Sequence, residues 1–130
     1  EYYQEIKKDL YNNCKRFRKA LFRNWDIYDN FYIHFKEPDI AGHDGKREEK
    51  KEMIEIIDKE FFSYLKNKTY FNLLVTCDHA TPTKLKSHSN DPVPVLLFGK
   101  GMDLTSRFTE RECKHGSLGL IKDPNVLKLL

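Results

Sequence analysis

Tyr70-Phe71-Asn72-Leu73-Leu74-Val75-Thr76-Cys77-Asp78-His79, residues 70–79, is the stretch that decides the fold. Its first seven residues are a short apolar run rich in strand formers. It reads as a buried central strand, too short for an independent helix. An acid and a histidine stand side by side at its end. A polar segment full of turn formers follows to Pro94. Downstream, Val93 to Phe98 reads as another strand, stopped by Gly99 and Gly101. Upstream, Phe31 to Phe35 is aromatic and β-branched and reads as a third. Pro38 and Gly42 then signal a loop.

Helical spacing fills the intervals. In residues 2–23, Tyr3, Ile6, Leu10, Cys14, Phe17, Leu21 and Phe22 recur mostly three and four apart. Lys and Arg cover the other face, which reads as an ordinary solvated surface. Residues 46–65 carry a broad apolar stripe of Met53, Ile54, Ile56, Ile57, Phe61, Phe62 and Leu65. Asn67 and Lys68 make a turn, and Pro124 opens a final short helix through Leu129. The order is helix, strand, helix, strand, strand, loops, helix. That alternation predicts an α/β fold with a mainly parallel sheet flanked by helices. No internal repeat, linker or domain boundary is visible.

Composition narrows the function. A chain of 130 residues fits one domain or a piece of a larger one. A third of the residues are charged, yet the net charge is only +3, so the surface is mixed and does not suit a nucleic-acid binder. No stretch is long enough to span a membrane, and no signal-peptide pattern opens the chain. Three widely spaced cysteines, Cys14, Cys77 and Cys113, argue against a disulfide framework and a cysteine zinc site, and fit a reducing, cytoplasmic setting. The first residue is Glu1 rather than Met, which suggests a piece cut from something longer.

Chemistry concentrates where strands end, which is where open α/β sheets bind ligands. Asp39-Ile40-Ala41-Gly42-His43 follows one expected strand and Asp78-His79 follows another, with His88 in the next loop. A catalytic divalent ion takes carboxylate oxygen and neutral imidazole and keeps a position open. Asp39, His43 and His88 could supply three such ligands, and Asp78 and His79 two more for a second ion. Ala41 and Gly42 keep bulk out of a tightly bent backbone. Taken singly, each residue has an ordinary reading as a surface histidine, a turn former or a helix cap. The case rests on their convergence.

The motifs resemble one family. Asp39 to Gly45 (DIAGHDG) resembles the D-E-A-G-H-D-G motif of the 2,3-bisphosphoglycerate-independent phosphoglycerate mutases of archaeal type. Cys77 to Pro82 (CDHATP) resembles their G-D-H-S-T-P, and Ser87 to Gly99 (SHSNDPVPVLLFG) their H-S-G-D-P-V-P stretch. Phe108-Thr109-Glu110, Cys113 and Gly116-Ser117-Leu118-Gly119 look like later positions of the same pattern, which runs from about Asn30 to the C-terminus. The resemblance implies the C-terminal portion of an alkaline-phosphatase-like catalytic domain. It implies one ion held at Asp39, His43 and His88. The other is held at Asp78 and His79, with an upstream Asp and a nucleophilic Ser. The reaction implied interconverts 3-phosphoglycerate and 2-phosphoglycerate through a phosphoserine, with manganese, zinc or magnesium and no 2,3-bisphosphoglycerate requirement. Paired ions on the order of 4 Å apart clamp the attacking and leaving oxygens of such a transfer. Lys36 matches a family Lys and reads either as a phosphate contact or as a solvated residue at a strand edge.

Departures are few. Cys77 stands for Gly, Ala80 for Ser, Pro38 and Ile40 for Thr and Glu, and Leu120 sits near a common Arg position. All five expected ligands are retained. The nucleophile is not: Ser63, Ser87, Ser89, Ser106 and Ser117 do not match its context. The N-terminal part of the same enzyme, carrying that Ser, is therefore the expected partner, beside a small phosphoglycerate substrate. The chain is expected to be inactive alone, with sheet edges left open. The alternatives are another phosphatase or phosphomutase of the superfamily, or a non-catalytic relative.

Overall fold

The structure, a computed structural model, describes residues 1–122 and 125–130. The chain divides into two compact units. Glu1–Lys68 with Thr81–Ser87 forms the first, and Thr69–Ala80 with His88–Leu130 the second.

The first unit is helical. Helix α1 spans Tyr2–Arg23, α2 Glu37–His43 and α3 Arg47–Ile57. The last continues through a π turn at Asp58–Phe62 into α4, Ser63–Leu65. The expected helices over 2–23 and 46–65 are both present. The buried core is Leu10, Cys14 and Leu21 of α1, Ala41 of α2, and Met53, Ile57, Phe61 and Leu65. The last four recur every fourth residue. Four residues of an α-helix advance about 400°, so such a stripe drifts about 40° per step. The π turn holds more residues per turn and offsets that drift, which keeps Phe61 and Leu65 on the buried side. Arg18 braces the turn, donating to the Glu60 carbonyl at 3.0 Å while its guanidinium lies 3.5 Å from the Tyr64 ring centroid.

Two expectations about this unit are corrected. Residues 31–35 form no strand. Phe31 and Phe35 make individual ring contacts instead, while Tyr32 is exposed. Phe31 stacks on Trp25, and Phe35 contacts Phe17 and Phe61 edge-on at 5.5 and 5.4 Å. Strand propensity reflects fit to a neighbouring strand, and the described residues of this unit offer none. Residues 37–43 are helix rather than loop. Pro38 sits in the first turn, where its missing N–H costs nothing.

The second unit holds strands β1, Leu73–Val75, and β2, Leu96–Phe98. They pair antiparallel, with Leu73 opposite Phe98 and Val75 opposite Leu96. An isolated antiparallel bridge joins Ala80 and Ser89 further along the same two segments, outside the register of the ladder. The mixed helix-and-sheet class stands, but the pairing among the described residues is antiparallel rather than parallel. β1 is half-buried rather than fully buried, because both strands of a two-stranded sheet are edges. Gly99 ends β2 with φ +99°, and a Cβ there would lie 2.7 Å from the Phe71 carbonyl oxygen, so only glycine closes this arm. Beyond it, Asp103 ties a loop together. Its carboxylate accepts from the Thr105 hydroxyl and amide and from the Ser117 amide and hydroxyl. These donors, the Thr105 hydroxyl first, hold its carboxyl down at about 2. Helix α5, Glu110–Cys113, is capped by Thr109, and Asn125–Leu129 forms a 3-10 turn. The expected start of that last helix, Pro124, lies outside the described residues. Among the described residues, no helix is long and apolar enough to cross a membrane.

Candidate metal centre

Helix α2 carries the first acid–histidine pair. Asp39 and His43 are four residues apart, hence on one helical face, with His43 Nε2 3.5 Å from Asp39 Oδ2. Both side chains are part-exposed. His43 Nδ1 lies 3.3 Å from the Lys86 carbonyl oxygen. A carbonyl can only accept, so in this contact Nδ1 is the donor. The other oxygen, Asp39 Oδ1, accepts from the Thr81 hydroxyl at 2.6 Å. Thr81 is 4% exposed, and its carbonyl accepts from Lys50 Nζ at 2.8 Å.

Gly42 makes this arrangement possible. A Cβ at Gly42 would meet the Thr81 carbonyl oxygen at 2.8 Å and its methyl at 3.0 Å. Its function is close approach of α2 to the 81–87 segment, not the tight bend expected from the sequence. Lys36, the candidate phosphate contact, is exposed at the N-terminal boundary of α2.

The second unit groups the remaining candidates. Asp78 and His79 leave the end of β1 with converging side chains, His79 Nε2 3.4 Å from Asp78 Oδ2. The His79 amide also donates to Asp78 Oδ1 at 3.1 Å. The His79 and His88 rings stack with centroids 3.7 Å apart. The antiparallel Ala80–Ser89 bridge leaves His79 and His88 as diagonal neighbours on one face, within reach of ring contact. Imidazole nitrogen beside carboxylate oxygen is a donor set that suits zinc or manganese. Cys77 is exposed next to it.

The family model described as "Metalloenzyme superfamily" matches residues 4–130. The chain belongs to the metalloenzyme superfamily. The expected alkaline-phosphatase-like α/β class stands with that membership. Among relatives, the chain is 44% identical over 115 residues to a probable 2,3-bisphosphoglycerate-independent phosphoglycerate mutase of Deinococcus radiodurans. That match covers 86% of this chain and 28% of the relative. It is 41% identical to a 2,3-bisphosphoglycerate-independent phosphoglycerate mutase of Pyrococcus abyssi, over 79% of this chain and 26% of the relative. A solved structure, that of the PH0037 protein from Pyrococcus horikoshii, aligns with TM-score 0.81 and 37% identity, over 86% of this chain and 35% of that one. The chain thus spans about a quarter of the length of the curated relatives it matches.

Two residues beside the Asp39 candidate, Thr81 and Lys50, carried no sequence signal. Thr81 lay inside the quoted CDHATP motif but carries no signal of its own. Lys50 is one Lys in a run of charges, and only the fold shows which of them turns inward. The i, i+4 spacing of Asp39 and His43 was the available sign that they share a helix.

Proposed function

We propose that this chain is the metal-site part of a 2,3-bisphosphoglycerate-independent phosphoglycerate mutase, interconverting 3-phosphoglycerate and 2-phosphoglycerate through a phosphoserine formed outside these residues. The observation that carries the reading is the combined match of DIAGHDG, CDHATP and SHSNDPVP, in order, within a chain whose relatives are named as such mutases. Asp39, His43 and His88 are the ligands proposed for one divalent ion, and Asp78 and His79 for a second. Manganese, zinc or magnesium suits these donors. Bound there, the ions supply positive charge that activates an oxygen nucleophile and neutralises the transferring phosphoryl group.

The chain's own residues do the rest of the local work. The Lys86 carbonyl accepts from His43 Nδ1 and orients the ring, and the His79 and His88 rings stack beside the Ala80–Ser89 bridge. Lys36, exposed at the N-terminal boundary of α2, is the residue proposed to meet a phosphate. No 2,3-bisphosphoglycerate is required by this scheme, because the serine itself carries the phosphoryl group. The proposed substrate is a small soluble phosphoglycerate, and the proposed partner is the serine-bearing part of the enzyme.

The test is an assay of the intact protein with 3-phosphoglycerate and manganese. Formation of 2-phosphoglycerate is expected. Release of inorganic phosphate without 2-phosphoglycerate overturns the mutase reading in favour of a phosphatase. In the same protein His88→Ala is expected to abolish turnover with an unchanged circular dichroism spectrum; near-normal turnover removes His88 from the ligand set.

A further inference from the structure

Within the first unit, a chain of contacts runs from α3 through a buried threonine to the carboxylate of α2. Lys50 Nζ donates to the Thr81 carbonyl at 2.8 Å, and the Thr81 hydroxyl donates to Asp39 Oδ1 at 2.6 Å. Thr81 is the one buried polar side chain among the described residues. A buried hydroxyl must have its hydrogen bond, and here it meets a carboxylate oxygen at short, charge-assisted distance. Asp39 has two oxygens, and this contact differentiates them. Oδ1 is held by Thr81, while Oδ2 points toward His43 Nε2 at 3.5 Å.

We infer that Thr81 and Lys50 are positioning residues that orient the Asp39 carboxylate so that Oδ2, beside His43 Nε2, is the oxygen presented to a cation. The inference rests on the reading of Asp39 as a ligand. Hydrogen bonds behind a ligand fix its rotamer and the oxygen it offers, and their loss typically weakens metal affinity 10–100-fold. Lys50 acts at one remove. Its ammonium pins the Thr81 backbone, and a pinned backbone fixes where the hydroxyl starts. It also lies against the Gly42 face of α2, 3.2 Å from where a Cβ would be, so it clamps both ends of the contact.

Manganese titration of this chain tests the inference, together with unfolding equilibria. Thr81→Val keeps the shape and removes the donor; it is expected to weaken Mn2+ binding about 10-fold or more, while Thr81→Ser stays within about threefold of wild type. Lys50→Met is expected to give a smaller loss in the same direction. In urea, Thr81→Val and Asp39→Ala should be non-additive by about fivefold or more in the unfolding constant, since each removes one partner of the same bond. Wild-type affinity in Thr81→Val, a Thr81→Ser loss equal to that of Thr81→Val, or an additive cycle each overturns the positioning role. Absence of Mn2+ binding by the wild-type chain, or wild-type stoichiometry and affinity in Asp39→Asn, overturns the ligand reading itself and the proposal with it. Loss in Asp39→Asn beside no change in Thr81→Val overturns the positioning alone.

Discussion

Gly42→Ala isolates the contact on which α2 depends. In an exposed helix, replacing Gly by Ala stabilises by roughly 0.5–1 kcal/mol, because the unfolded chain loses freedom. Here the sign reverses. The new methyl would lie 2.8 Å from the Thr81 carbonyl oxygen, 3.0 Å from the Thr81 methyl and 3.2 Å from Lys50 Nζ. Lys50 is flexible and can withdraw, but the carbonyl is backbone. Overpacking of this kind costs about 1–3 kcal/mol. Withdrawal of Lys50 also sacrifices a charged hydrogen bond, worth about 1.5–3 kcal/mol when fully lost. Set against the helix gain, the expected net destabilisation is about 1.5–5.5 kcal/mol, a fall in midpoint of roughly 5–20 °C for a chain of this size. A thermal melt by circular dichroism, with urea unfolding as the second measure, reads it. Adding Thr81→Ser removes only the methyl contact and is expected to recover only part of the loss. A Gly42→Ala variant as stable as wild type, or more so, would refute the seating of α2 on Thr81.

Three further outcomes follow from the same packing. Met53 is fully buried between helices, so Met53→Ala is expected to destabilise by about 2–5 kcal/mol in urea unfolding; a change below about 1 kcal/mol would place it outside the core. Burial pushes the Cys14 thiol up to about 11 from 9.0. At pH 8, iodoacetamide with mass spectrometry should therefore leave Cys14 unmodified in the folded chain while exposed Cys77 is alkylated. The folded thiol being the weaker acid, its stability contribution is complete below pH 9.0 and lost as pH rises through about 11. The Asp103 carboxyl runs the opposite way, from 3.8 down to about 2, so its contribution is present above pH 3.8 and lost as pH falls through about 2. Asp103→Ala should speed hydrogen exchange at the Thr105 and Ser117 amides, both of which donate to it; unchanged exchange there would remove the clasp.

The sequence by itself determined the local periodicities and the motifs. The stripes of α1 and α3 were legible because burial on one helical face leaves a repeating pattern. The runs around Leu73–Val75 and Leu96–Phe98 were legible because short apolar segments bounded by turn formers have few other uses. The acid–histidine motifs were legible because carboxylate beside imidazole is the side-chain chemistry that a metal site uses, whatever the fold. Pairing and seating were decided only by the tertiary structure. Phe31–Phe35 has strand composition but no strand beside it in its unit, and a ladder needs a partner that composition cannot supply. The antiparallel register of β1 and β2 depends on where the chain returns after the 81–87 segment, which no local pattern encodes. Thr81 and Lys50 became part of the site only when α2 came to rest on that segment. Residues 42 and 81 are far apart in sequence, and the 2.8 Å left for a side chain at Gly42 is a property of their meeting.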